Sequence, residues 1–332
     1  MRLRRFRNLD TIQQHTSVKQ FNRWRQERMK RQQKKDYSFT VPSVAPDLNY
    51  LHNNRTHPSL TWVGHSTFLI QLAGLNIVTD PVWSGQMAFH KRLSQPGIPI
   101  EDVPPVDVVL ISHSHYDHLS IQSLRRLGGV KQLIVPAGLG QKLRLKGFTR
   151  IHELHWWESV HIHGVKFTFV PSQHCTRRNP WDNNSSHWGG YVMEPYAASG
   201  HESMAAAPAE VGTRPVLSEY PTLYFAGDSG YFRGFEEIGR KFELDVALMP
   251  IGAYEPEWFM GPQHVTPEQA LQAYLDCKAK WFVPMHYGAF KLADDTPREA
   301  LDRLQSGIQE LNIEAERVLV LPQGETWKLS GR

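Results

Sequence analysis

The stretch that most narrows the choice of fold is VDVVLISHSHYDHL, residues 106–119. Its first half carries the short apolar run VVLI, the pattern of a strand buried on both faces. Its second half places His113, His115, Asp117 and His118 directly after Ser112. A sheet holds a strand end rigidly, while the loop beyond it lets side chains converge. His113 and His115, two apart in extended chain, project to one side. Asp117 and His118 follow at the turn into a helix, read from the spacing of IQSLRRLG and its stopping glycine. Imidazole and carboxylate are ligands for borderline first-row metals. A polar surface loop has no need of four such side chains in H-x-H-x-D-H order behind a buried strand.

One loop does not complete two metal sites. The same arrangement, an apolar strand closed by a ligand-type residue, recurs three times: FTFVPSQHC at His174, LYFAGDSG at Asp228 and WFVPMHYG at His286. A lone histidine after a strand is usually structural. Three such positions behind the first loop bring the set to five histidines and two aspartates, which suits a dinuclear centre. The rest of the body reads as α/β. LTWVGHSTFLIQLAGLNIVTDP (60–81) looks like two strands about Ala73-Gly74. KQLIVP, VKFTFVPS, WGGYVME, PTLYFAGDSG, DVALMPIG, KWFVPMH and RVLVLPQG are further strands closed by turn residues. TPEQALQAYLDCKA is a helix capped by Thr266 with Pro267 at its first position.

Charge divides the chain. Residues 1–50 carry 12 Lys and Arg against 4 Asp and Glu, a net +8, and since the whole is +4 the remainder is −4. The high pI therefore belongs to a basic N-terminal arm, 1–50, and not to the single domain expected over 51–332. Residues 194–220, rich in Ala, Pro, Ser and Gly, read as a surface insertion in that domain. Phe21, Trp24 and Arg28 share a helical spacing, so the arm could lie on an anionic membrane surface. Nucleic acid would attract the same charge and is the less favoured partner. A solvated arm resting on the body is the plain alternative. No apolar run approaches the ~18 residues of a membrane span, and the charged start lacks a secretory signal. Two cysteines cannot make a disulfide framework. The expected location is cytoplasmic, peripheral on the inner face of a membrane if the arm binds there.

HSHYDH, followed in order by His174, Asp228 and His286, resembles the signature of the metallo-β-lactamase superfamily. The resemblance is closer to the branch containing N-acyl-phosphatidylethanolamine phospholipase D. It is carried by WVGHSTFLIQLAGLNIVTDPVWS, PSQH, WGGYV, FAGDSGYFRGFEEIGRKF, PIGAYEPEWFMGPQHVTPEQA and MHYGAF, between about residues 60 and 290. It implies an αββα four-layer sandwich with a dinuclear site at the sheet edge. It implies one ion on His113, His115 and His174, a second on Asp117, His118 and His286, and Asp228 bridging. Two divalent ions are expected, zinc first, with manganese or iron open. They would lower the pKa of a shared water, and that hydroxide would attack a phosphodiester.

Other roles follow from the resemblance. Asp80, in VTDP, corresponds to an aspartate that orients a ligand histidine. His264, in PQHV, would stabilise the transition state or protonate the leaving oxygen. His65 lines the pocket or serves as a structural histidine. Gly227 and Gly230 let backbone approach the site. Tyr254, Trp258, Phe259 and Met260 would receive an acyl chain, although such residues are more often core. Cys175 reads as inert. His152, His155, His161 and His163 fit strand alternation and are left out. Three functions compete: a phospholipase D-type phosphodiesterase acting on N-acylated phosphatidylethanolamine or a related phospholipid; a hydrolase of a lactone, sugar-phosphate ester or nucleic acid on the same fold; and a non-catalytic membrane-associated scaffold. A homodimer is compatible with each.

Overall fold

The computed structural model describes residues 5–12, 18–32, 35–87, 90–196 and 220–329. Helices α1 (Val18–Gln32) and α2 (Leu48–Asn53) come first. An antiparallel meander follows: β1 (Ser59–Gly64), β2 (Thr67–Leu72) and β3 (Leu75–Thr79). A small ribbon pairs β4 (Gln86–Met87) with β5 (His90–Lys91). Then β6 (Val108–Leu110), α3 (Ile121–Arg126), β7 (Gln132–Pro136), α4 (Gly140–Arg144) and β8 (Ile151–Leu154) extend the sheet in parallel. The second half contains β9 (Ser159–Ile162), β10 (Val165–Val170), β11 (Gly190–Pro195), β12 (Leu223–Phe225), α5 (Gly234–Lys241), β13 (Val246–Pro250), α6 (Glu257–Met260), α7 (Pro267–Cys277), β14 (Trp281–Met285), α8 (Pro297–Glu310) and β15 (Thr326–Lys328).

The strands form a seven-stranded sheet, β15-β1-β2-β3-β6-β7-β8, and a six-stranded sheet, β14-β13-β12-β11-β10-β9. The period of two along each strand sorts the apolar residues into layers. Trp62, Phe68, Ile70, Ile77 and Leu110 face Phe167, Phe169, Tyr191 and Phe225 in the core between the sheets. Their neighbours Leu69, Val78, Val109 and Val135 turn outward and pack with Leu51, Leu124 and Leu143 of the flanking helices. Phe235 and Ile238 of α5 and Leu271 and Tyr274 of α7 cover the other sheet. This is the four-layer αββα sandwich. Tyr191 fastens the layers: its hydroxyl, inside the core, donates to the carbonyls of Ile111 and Ile134 at 2.9 and 3.1 Å. Thr266 and Thr296 open α7 and α8 with capping boxes and a following proline.

Two sequence expectations change. Segment 60–81 makes three strands, because the chain also turns at His65-Ser66, where His65 takes a left-handed φ of 56°. RVLVLPQG forms no strand; isolated bridges from Val318 to Phe282 and from Gln323 to Ser43, and a 3-10 turn at Ala315–Arg317, occupy it. Position 50 falls inside α2, and Val41 and Leu51 are both buried. The described parts of the arm lie against the body. Phe6 stacks on His187 at 4.5 Å, Trp24 of α1 stacks on Phe259 at 5.2 Å, and Lys35 pairs with Glu255 and Glu299. Of the expected insertion, Glu194 and Pro195 end β11, and residues 197–219 lie outside the described residues.

Candidate metal centre

β3, β6, β10, β12 and β14 all run towards one edge of the sandwich, and their ends supply the site. Beyond β6 the chain leaves the sheet at Ser112 and curls, the N–H groups of His118 and Leu119 both bonding to the carbonyl of His115. Arg178 ties this loop down, donating to the carbonyls of Ser114 and Leu119 at 2.8 and 2.9 Å, with the Tyr116 ring 4.0 Å from its guanidinium. His174 follows β10, Asp228 follows β12, and His286 follows β14 with φ 63°. Gly227 lets Asp228 reach the first loop. Its φ is +63°, and a Cβ there would lie 2.7 Å from Ser112 Cβ. At Gly230 a Cβ would meet the Pro262 carbonyl at 2.6 Å, so that loop also closes only over glycine.

The ligand-type atoms fall into two groups. His113 Nε2 and His174 Nε2 lie 2.9 and 3.2 Å from His115 Nδ1. His118 Nε2 and His286 Nε2 are 3.1 Å apart, and Asp117 Oδ2 is 3.3 and 3.4 Å from them. A tetrahedral ion with bonds of about 2.0–2.1 Å sets its ligands roughly 3.3 Å apart, so both groups have the spacing of a coordination shell. Asp228 sits between them. Oδ2 lies 3.1 Å from His118 Nε2 and 3.8 Å from both His113 and His174 Nε2, and Oδ1 lies 3.1 Å from His286 Nε2. Oδ1 is buried without a hydrogen bond.

Electrostatics tell the same story. Burial pushes His113, His115 and His174 below the usual imidazole value, the neutral form that ligates. Burial also opposes charge on His118 and His286, yet Asp228 and Asp117 outweigh it and raise both, His286 to about 9. Burial works against ionisation of Asp117 and Asp228 as well, but the adjacent His118 keeps both carboxyls well below their usual range. Among the described residues no Lys or Arg ion-pairs with either carboxylate. Two buried carboxylates drawing protons onto imidazoles form a cluster that a divalent cation would neutralise. The donor set therefore fits two such ions.

Partners behind the ligands set the tautomers. Asp80, fully buried, accepts from Ser112 N at 2.7 Å and from the Ser112 hydroxyl, and faces His118 Nδ1 at 2.7 Å. Ser112 Oγ lies 2.9 Å from His113 Nδ1, and the Gln263 carbonyl 3.0 Å from His174 Nδ1. Each arrangement fits an Nδ1–H donor and leaves the Nε2 lone pair facing inward. The sequence reading found Asp80. It missed Gln263 and Ser112, which act through a carbonyl and a hydroxyl with no motif of their own, and it missed Arg178.

The remaining candidates separate. His65 joins the second group, its Nε2 3.2 Å from Asp117 Oδ2 and its ring 4.2 Å from that of His286. His264 reaches the other side: its buried Nδ1 has no hydrogen bond and lies 3.9 Å from Asp228 Oδ2, and burial pushes it down to about 4. Trp258 and Phe259 are half-buried against α1, with Trp258 donating to Glu27 and Arg23 4.6 Å over its ring. The carbonyl of the neighbouring Met260 accepts from Gln263 and His264. Tyr254 is 0% exposed, inside the main core, and offers no surface to a substrate. Cys175 bonds Gln263 and is pushed up to about 12 by burial, so the thiol stays protonated.

Fold and ligand cluster together define a metal-dependent hydrolase of the metallo-β-lactamase fold. Its architecture matches a metallo hydrolase of Ignicoccus hospitalis with a TM-score of 0.59 at 23% identity, over 83% of this chain and 99% of that one. The beta-lactamase superfamily domain model matches residues 75–287. A Caenorhabditis elegans N-acyl-phosphatidylethanolamine-hydrolyzing phospholipase D is 31% identical over 82% of this chain and 76% of its own length. A metal-dependent hydrolase of Methanopyrus kandleri is 28% identical over 81% of this chain and 99% of its own. The chain belongs to the beta-lactamase superfamily, in the branch of the N-acyl-phosphatidylethanolamine-hydrolysing phospholipases D.

Proposed function

We propose that the chain is a phosphodiesterase of phospholipase D type, acting on N-acylated phosphatidylethanolamine or a related phospholipid. The observation that carries the reading is His264, whose unpartnered Nδ1 is buried beside Asp228. A polar atom left without a partner at a ligand cluster is placed to meet a substrate oxygen. The likeness to the Caenorhabditis phospholipase supports a phosphodiester as that substrate.

In this reading His113, His115 and His174 would hold one ion and Asp117, His118 and His286 the other, with Asp228 available to either. Bound there, the ions would supply Lewis acidity and a nucleophilic water at neutral pH. Zinc suits the donors, as do manganese and iron. Asp80 keeps the His118 proton on Nδ1. His264, neutral, donates a hydrogen bond to the phosphoryl group, the first of its two expected roles. A water oxygen joins phosphorus, the bond from phosphorus to the ethanolamide oxygen breaks, and that oxygen takes up a proton released by the water, giving phosphatidic acid and an N-acylethanolamine. Trp258, Phe259 and Met260, with Trp24 of α1, form the wall for an acyl chain. Phe21, Arg25 and Met29, four apart on the exposed face of α1, address an anionic bilayer. No helix among the described residues is long and apolar enough to cross one.

The test incubates metal-replete protein with an N-acylated phosphatidylethanolamine in mixed micelles, with His115→Ala alongside, and identifies products by mass spectrometry. Phosphatidic acid plus N-acylethanolamine, lost in the variant, is the expected result. No turnover by protein holding two ions would refute the lipid reading. It would move the search to the lactones, phosphate esters and nucleic acids open to a general hydrolase of this fold.

A further inference from the structure

Residues 5–12 run past the ligand cluster, and one side chain among them grips a ligand by its backbone. Asn8 Nδ2 donates to the carbonyl of His174 at 3.0 Å, and Asn8 Oδ1 accepts from the N–H of the same residue at 3.0 Å. Oδ1 also accepts from Trp188 Nε1 at 2.9 Å. Two N–H donors on the oxygen and a carbonyl on the nitrogen allow one orientation of the amide.

The contact answers a need of the fold. Pairing of β10 with β11 ends at Val170 and Gly190, so His174, four residues on, has left the ladder. It is 0% exposed, and buried backbone N–H and C=O groups must find partners. Among the described residues, Asn8 is the partner of both. A carboxamide has the donor and acceptor of a peptide group, so Asn8 pairs with His174 as a single residue of strand would. Neighbours hold Asn8 in place: Phe6 stacks on His187 and bonds the Asn184 carbonyl, Leu9 packs on the core, and Asp10 pairs with Arg233 at 3.1 Å. His174 is thus fixed twice, at its backbone by Asn8 and at its ring by the Gln263 carbonyl 3.0 Å from Nδ1.

We propose that Asn8 is a positioning residue for the metal group of His113, His115 and His174, which makes the basic arm part of that site. The inference rests on the reading of His174 as a ligand. It sets the two metal groups apart: the group of Asp117, His118 and His286 receives no such hydrogen bond from the described residues of the arm.

The experiment titrates metal-free protein with cobalt(II), following the visible ligand-field bands and, by chelator competition, the affinity of each of two binding steps. Asn8→Ala should weaken one step roughly ten-fold, the lower end for residues that orient a ligand, and leave the other unchanged. Asn8→Asp should do the same, because it sets a carboxylate oxygen against the His174 carbonyl. Arg7→Ala removes a charge from the exposed side of the same segment and should leave both steps intact. His174→Ala should abolish one step. If it does not, the ligand reading fails and the inference with it. If it does while Asn8→Ala leaves both steps unchanged, or weakens both equally, the positioning role is overturned and the ligand reading survives.

Discussion

Replacing Asp80 with asparagine isolates the effect of one proton's position on metal binding. Three donors converge on the Asp80 carboxylate: the Ser112 N–H, the Ser112 hydroxyl and His118 Nδ1, the last at 2.7 Å. An amide keeps one acceptor oxygen and introduces an NH₂ group. With the NH₂ at the Oδ1 position it faces the Ser112 N–H; at the Oδ2 position it faces His118 Nδ1. The second arrangement is relieved only if His118 moves its proton to Nε2, the atom 3.1 Å from both His286 Nε2 and Asp228 Oδ2. That proton occupies the lone pair needed for a metal. The first arrangement leaves two buried donors opposed, a cost of about 1–3 kcal/mol, and either one loses a charge-assisted bond roughly twice as strong as a neutral one. A penalty of about 2–3 kcal/mol is expected, roughly 30- to 150-fold in affinity for the ion held by His118. Chelator competition on metal-free protein reads this directly, with thermal unfolding without metal as the control for folding. Asp80→Asn protein that binds both ions with unchanged affinity would refute the tautomer argument.

Other expectations follow from the same geometry. Asp117→Asn should lower metal content towards one ion per chain and reduce activity strongly; elemental analysis finding two ions with an unchanged rate would sink its assignment. Gly227→Ala forces a left-handed alanine, about 1–2 kcal/mol, against Ser112, about 1–3 kcal/mol more. Denaturant unfolding should show a loss of that combined order, and a shift under about 0.5 kcal/mol would contradict it. Phe21 and Met29 are 48% and 64% exposed, so replacing both with serine should weaken sedimentation with anionic vesicles by on the order of ten-fold. Equal binding of both proteins would remove the membrane role of α1.

What the sequence disclosed depended on where each residue's meaning resides. His113 to His118 were legible because spacing and a preceding apolar run are local. His174, Asp228 and His286 were legible because each repeats that local pattern at another strand end. The turn at His65 was not, since a histidine carries no signal for the left-handed φ that a glycine or asparagine would advertise. RVLVLPQG has strand composition, but its residues find only isolated bridges, at Val318 and Gln323, and packing overrode propensity. Tyr254 lies in an aromatic stretch whose neighbours face α1, while its own ring lies under Arg303 at 4.7 Å in the core. The arm was read by its charge and by the helical spacing of Phe21, Trp24 and Arg28. Asn8 meets its partner 166 residues away, and no windowed pattern spans that distance.

The division of the ligands between two sheets also sets a timetable. His118 and His286 are separated by 168 residues. At synthesis rates of about 5–20 residues per second, roughly 10–30 s pass between them. During that interval a nascent chain can display the first loop but cannot complete the group of Asp117, His118 and His286. On the proposed ligand assignment, that group would draw its ion only from what is available once His286 has been made.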